Sequence, residues 1–334
     1  MSFGERSPAP RKGGIEQLAT AQTLAANVFR NHTVEPTDPA HAAYVKEMQA
    51  RDGTEEGTAM KTSILFEATL IDCIANEGWL GPNVRVTRSP WDDLKHGVDA
   101  TVSILDESGH VLIALSIDLT TNRDALADKL ARIKFNLDEQ KLATVDYPGI
   151  PDVGTDYKSG IPHCVISASQ SRVEQLINAW TAKKMGTNGS ALDNSILKTT
   201  VALEIEMQLR KFLEYARTKD YRIAIPKLEA ALRAITKIVA AFDQDKVKDA
   251  REAPATWDYM FGELDGYLSG FNSLVAKKPA GKTDIRGGTV IGDRAEFKVT
   301  DGTVEQRGRG GATRSVVVET KKKRPPFSRP QGGN

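Results

Sequence analysis

The chain has only two cysteines, Cys73 and Cys164, in 334 residues. That excludes a disulfide-stapled scaffold, and both sit among apolar residues, so they read as buried free thiols in a reducing compartment. No run of about 18 apolar residues exists, so no membrane-spanning helix is expected. Residues 1–14 are polar, carry Pro8, Pro10, Gly13 and Gly14, and lack the apolar segment of a secretory signal. A cytoplasmic protein without a membrane partner is expected. There is no HExxH pair and no paired CxxC, and neither serine nor cysteine has a convincing base partner, which sets a hydrolytic triad aside. His96 and His163 lack ligand spacing and read as surface or core histidines. A phosphate loop is missing as well, since Gly281-Lys282-Thr283 resembles only its end and has no strand before it. No internal repeat is found. Net charge is nearly absent too, with 45 basic residues against 44 acidic ones.

What is present is unevenly spread. The balance of 40% hydrophobic and 27% charged residues is that of an ordinary soluble chain, long enough for one or two domains plus appendages. From Lys277 onward Lys, Arg, Gly and Pro dominate, whereas the middle is close to neutral. A basic tail on a neutral body points to an acidic partner such as nucleic acid.

Along the chain, apolar spacing predicts helices at 15–31, 41–51 and 61–76. The last is the strongest, with Ile64, Leu65, Ala68, Leu70, Ile71 and Ile74 over more than half its surface and Glu67 inside that zone. A strand at 84–87 and a loop, Ser89-Pro90-Trp91-Asp92-Asp93, follow. Two apolar strands, 99–105 and 111–119, flank the turn Asp106-Glu107-Ser108-Gly109, which implies antiparallel pairing. Thr120-Thr121-Asn122 is N-cap chemistry for a helix reaching about Lys141. A fourth strand, 163–168, lies beyond that crossover helix and is expected parallel to the third. Ser171 with Glu174 suggests a capping box for a helix at 173–184. Two amphipathic helices, 195–218 and 225 to about 249, read as a helical hairpin that packs on the sheet or forms a homodimer contact. A shorter helix, 256–272, closes it. The tail carries short β segments at 296–299 and 315–319, with disorder around Lys321-Lys322-Lys323-Arg324.

The chemistry concentrates in the two central strands. Each holds one acid in apolar surroundings, Asp99 and Asp118, and a carboxylate there needs a cation, a metal or a donor beside it. With Glu67 on the preceding helix, and Asp93 as a fourth acid nearby, the set suits a hard divalent cation, Mg²⁺ or Mn²⁺. Such an ion stabilises charge on a phosphodiester and activates water. The structural alternative is that Asp99 caps a strand or turn and Asp118 caps the next helix through Thr120.

The element order, with Gly97-Val98-Asp99-Ala100 and Ile117-Asp118-Leu119-Thr120, resembles the PD-(D/E)XK nuclease superfamily over about residues 60–180. The resemblance implies a restriction-endonuclease-like α/β core, a mixed four-stranded sheet flanked by helices. It also implies metal held by Glu67, Asp99 and Asp118, and Mg-dependent cleavage of nucleic acid, DNA in preference to RNA. Thr120 stands where the motif lysine belongs. In that superfamily the lysine can come from the following helix, here Lys129 or Lys134, with Lys129 preferred. Gln170 would match a glutamine that some members place after the fourth strand. In the tail, Arg307, Arg309, Arg314, Lys321, Lys322, Lys323 and Arg324 lie in a segment similar to the basic N-terminal region of bacterial translation initiation factor 2. That implies contact with RNA or the ribosome, whereas a generic basic tail would add salt-dependent phosphate affinity. The expected organisation is an extension at 1–58, the nuclease-like core at 59–186, the hairpin at 195–275 and the tail at 277–334. The competing function is a non-catalytic nucleic-acid- or ribosome-binding protein that keeps the fold.

Overall fold

The computed structural model describes residues 12–52, 58–149, 160–187, 190–193 and 195–275, together with 297–300, 303–307 and 313–317. The chain divides into two compact units, 1–280 and 281–334. In the first, α1 (Lys12–His32), α2 (Pro39–Asp52) and α3 (Thr58–Ala75) precede β1 (Val84–Thr87), α4 (Pro90–His96), β2 (Ala100–Leu105) and β3 (Val111–Thr120). Then come α5 (Arg123–Asp138), β4 (His163–Ser167), α6 (Gln170–Lys184) and α7 (Ser190–Asp193). The remainder is helical: α8 (Ile196–Thr218), α9 (Ala224–Ala240), α10 (Gln244–Glu252), α11 (Pro254–Trp257), α12 (Tyr259–Ser269) and a 3-10 turn, Phe271–Ser273. The second unit pairs β5 (Phe297–Thr300), β6 (Thr303–Arg307) and β7 (Thr313–Val317) in an antiparallel sheet.

The main sheet runs β1-β2-β3-β4, antiparallel at the first two junctions and parallel at the last, so the expected mixed four-stranded α/β architecture is present. Asp106 fixes the β2–β3 turn, because its Oδ1 accepts from the backbone N–H groups of Ser108 and His110. Gly109, at φ +82°, supplies the left-handed residue that turn needs. Asn122 caps α5 by accepting from the N–H groups of Asp124 and Ala125, and the crossover then returns the chain to β4 beside β3.

Helices α1, α3 and α6 pack together and reach β1, while α5, α8, α9 and α12 meet β3 and β4. One apolar cluster joins them, from Phe66 and Ile71 through Leu115 and Ile166 to Phe212 and Ile235. The outer edge of β4 is closed by side chains of α8. Gln208 accepts from Val165 N–H at 2.8 Å and donates to Val165 C=O at 2.7 Å. Glu204 accepts from Ser167 N–H at 2.8 Å and Ser167 Oγ at 3.0 Å. Burial pushes the Glu204 carboxyl well above its usual range, against the two bonds from Ser167.

Several expected boundaries move. The loop 89–93 opens a helix, α4. Ser89 caps it, Pro90 holds the first turn, and Gly97 ends it in the left-handed conformation at φ +66°. Helix α6 starts at Gln170 with Ser169, not Ser171, as its cap. Helices α8 and α9 pack on each other, but the second predicted helix stops at Ala240 and restarts as α10. There Asp243 accepts from the N–H groups of Asp245 and Lys246. The helix expected at 256–272 is divided in the same way at Asp258. Of the tail, the expected β segments correspond to β5 and β7, and β6 lies between them. Residues 1–11, Arg309 and Lys321–Arg324 lie outside the described residues, as do the side chains of Arg307 and Arg314. Among the described residues no helix is long and apolar enough to cross a membrane.

Candidate functional site

A cleft of about 260 Å³ lies between α3, α4, the start of β2, the end of β3 and α5, and Glu67, Asp93, Asp99, Leu119, Thr120 and Lys129 line it. Asp99 is held where β2 begins. Its N–H donates to Ile117 C=O at 2.9 Å and its Oδ2 accepts from Leu119 N–H at 2.7 Å. Burial raises the Asp99 carboxyl well above its ordinary range, and the neighbouring Asp118 and Glu67 add to the rise. Glu67, on α3, is ion-paired with Arg88, which also approaches Asp93 at 3.7 Å. Burial pushes the Glu67 carboxyl up to about 7, partly offset by Arg88.

Asp118 is buried and committed to cations. Oδ1 meets Lys129 Nζ, and Oδ2 lies 2.9 Å from Arg132 Nη2. His163 Nε2 stands 4.0 Å from the same Oδ2. Burial lowers the His163 pKa to about 4, against the pull of Asp118, so at neutral pH this histidine is uncharged. Lys129 Nζ also donates to Leu119 C=O at 2.6 Å. Lys134 goes elsewhere: it bonds Asp138 at 2.9 Å and stands over the Tyr215 ring. Gln170 hydrogen-bonds Glu174 and does not line the cleft. Thr120, at the motif-lysine position, accepts from Asn122 N–H and shapes the turn into α5.

The structure therefore brings Glu67, Asp99 and Lys129 to one cleft, with Asp118 behind Lys129. Arg132 was missed in the sequence; its place three residues after Lys129, one helical turn along α5, was the available signal.

A second group, Asp92, His96 and Asp146, was also missed. Among the described residues it is the set of three metal-ligating side chains whose ligand atoms all lie within 4.8 Å of one another, so it could hold a metal ion. Glu67, Asp99 and Asp118 are not drawn together in that way. His96 had been set aside for lack of ligand spacing. Its spacing from Asp92, four residues along α4, was the legible part; Asp146 arrives from a distant segment. Both Asp92 oxygens accept backbone N–H bonds, from Asp146 at 2.8 Å and Tyr147 at 3.0 Å. Burial raises the Asp92 carboxyl despite those bonds. The bonds from His96 and Trp91 outweigh burial at Asp146, whose carboxyl is lowered. Trp91 is itself stacked on His41 with ring centroids 3.5 Å apart.

No family model, no curated protein and no solved structure matches the chain.

Proposed function

We propose that the first unit hydrolyses phosphodiester bonds of nucleic acid, with a divalent cation held by Glu67 and Asp99 and with Lys129 as the cationic group beside it. The observation that carries this reading is Lys129. It comes from α5, yet its Nζ reaches Asp118 and the Leu119 carbonyl at the end of β3, in the same cleft as Glu67 and Asp99. Thr120, at the motif-lysine position two residues after Asp118, lines the same cleft.

The acids suit the ion. Two carboxylates lining one cleft match the one or two carboxylates by which Mg²⁺ is usually bound, with water and phosphate completing the shell. Both carboxyls are raised, chiefly by burial and in part by neighbouring acids. When bound, the ion would stabilise charge on the phosphate and activate water. Asp118, whose two oxygens face an ammonium and a guanidinium that would repel a metal ion, is assigned a positioning role: it aims Lys129 and balances its charge. Lys129 then offers a fixed positive group to charge developing on the phosphate. Arg307, Arg309, Arg314, Lys321, Lys322, Lys323 and Arg324 add salt-dependent affinity for the strand.

One observation favours the binding-only alternative: Arg88 already occupies Glu67. Cleavage of single- and double-stranded DNA and RNA, with and without Mg²⁺ or Mn²⁺, separates the two. Hydrolysis is expected, lost in Asp99→Asn, which removes one of the two carboxylates that would hold the ion, and retained in Lys134→Met. Nucleic-acid binding without cleavage under every metal would establish the alternative.

A further inference from the structure

We propose that Asp92, His96 and Asp146 form a second, separate metal centre, selective for Zn²⁺ or Mn²⁺ over Mg²⁺. It lies outside the cleft assigned above, and no part of it rests on that assignment.

The geometry is assembled from two segments. Asp92 and His96 stand four residues apart on α4 and so share one face of that helix. Asp146 is carried back to that face after α5 ends. His96 Nε2 lies 3.0 Å from Asp146 Oδ2, and all three ligand atoms fall within 4.8 Å of one another. An ion with bonds of roughly 2.0–2.2 Å would fit among atoms so placed after small side-chain rotations.

The surroundings orient the ligands. Backbone N–H groups of Asp146 and Tyr147 each take one Asp92 oxygen. The Trp91 indole N–H donates to Asp146 Oδ2 at 2.7 Å. Each carboxylate oxygen can accept more than one bond, so these donors aim the carboxylates without exhausting them. Outer hydrogen bonds of this kind are a regular companion of metal-binding carboxylates. Without an ion, the His96–Asp146 hydrogen bond stands in for the two metal bonds.

The donor set chooses the ion. One imidazole nitrogen with two carboxylates suits Zn²⁺, Mn²⁺ and their neighbours, whereas Mg²⁺ and Ca²⁺ prefer oxygen alone. Two carboxylates and a neutral imidazole carry two negative charges, which a divalent ion balances. Asp92 is buried, His96 is half-buried and Asp146 is exposed, so the ion would enter from the Asp146 side and keep a position there for water. Bound in this way, it would tie residues 143–149 to α4. It would thereby steady Asp93, the next residue, which lines the neighbouring cleft.

The test uses the full chain, with any purification tag removed and stripped metal-free. Titration calorimetry with ZnCl₂, MnCl₂ and MgCl₂ should show one Zn²⁺ per chain lost at least about tenfold in affinity in His96→Ala. Mn²⁺ should bind this centre more weakly than Zn²⁺, and Asp99→Asn should leave Zn²⁺ binding unchanged. As a second measurement that needs no variant, Mn²⁺ should broaden the His96 ring protons in the NMR spectrum before those of His32. No Zn²⁺ uptake by the wild-type chain at roughly 100 μM free ion, a concentration that detects even a weak site, would overturn the proposal. So would equal Zn²⁺ affinity in His96→Ala. Zn²⁺ binding lost in Asp99→Asn but kept in His96→Ala would place the ion in the cleft, ending this proposal while supporting the cleft as the metal site.

Discussion

Lys129→Met separates a catalytic lysine from a structural strut. Asp118 has a side chain only 3% exposed and two cationic partners, Lys129 and Arg132. Removing both would strand a buried charge, at about 3–5 kcal/mol. Removing Lys129 alone leaves the Arg132 bond at 2.9 Å in place. What is lost is two charge-assisted hydrogen bonds, to Asp118 and to the Leu119 carbonyl, of which the first alone accounts for about 1.5–3 kcal/mol. At roughly 2–4 °C per kcal/mol for a unit of this size, thermal unfolding should fall by several degrees. A double-mutant cycle with Asp118→Asn should return a coupling of similar size, because the two side chains touch. Metal-dependent cleavage should fall by about 10²–10³-fold, the range for removal of a charge-stabilising donor. Below the unfolding transition, a destabilised but folded protein would lose little of the proposed activity, so the two readouts are independent. If the melting temperature drops as expected and cleavage is unchanged, Lys129 is a strut and its assigned role is wrong.

Two further outcomes follow from groups outside the cleft. The Glu204 carboxyl is raised in the folded protein, so its contribution is complete below its unfolded value near 4.5 and is lost as pH rises toward the folded one. Glu204→Gln removes that dependence, and the variant should therefore gain stability relative to wild type as pH goes from about 5 to 8; parallel melting curves across that range would show Glu204 ionised when folded. Gly97→Ala should cost about 1–2 kcal/mol in chemical denaturation, because Gly97 has φ +66°. It should also displace Arg132, whose Nη1 lies 2.8 Å from where the new Cβ would stand; an unshifted Arg132 side-chain resonance would contradict this.

The sheet and its central acids were legible because they depend on local signals. Alternation, the Asp106–Gly109 turn and the Asn122 cap each act within a few residues of themselves. The same holds for Glu67 and Asp99, since apolar surroundings and element order placed them near one end of the sheet, whereas Lys129 followed only from the family resemblance, which lets the lysine come from the next helix. What could not be read was which charges neutralise which. Arg88 and Arg132 look like ordinary surface cations in a linear chain, yet they meet Glu67 and Asp118 across 21 and 14 positions. Asp146 meets His96 across 50, so no local pattern marks the pair as ligands. Residues 89–93 read as a loop, yet Pro90 stands at the first helical turn of α4, where proline starts a helix.

The closure of β4 by α8 depends on a coincidence of lengths. Four residues of α-helix advance about 6.0 Å, and two residues of strand advance about 6.6 Å. Glu204 and Gln208 therefore keep step with Ser167 and Val165 for one repeat, while a third rung would already be about a full ångström out. The match works like a vernier. It admits one setting of helix against strand, and sliding either by a residue loses both rungs together. A neighbouring chain seeking an open sheet edge would find β4 taken, and Val165 and Ser167 should rank among the slowest-exchanging amides of the sheet, because freeing them requires moving a whole helix.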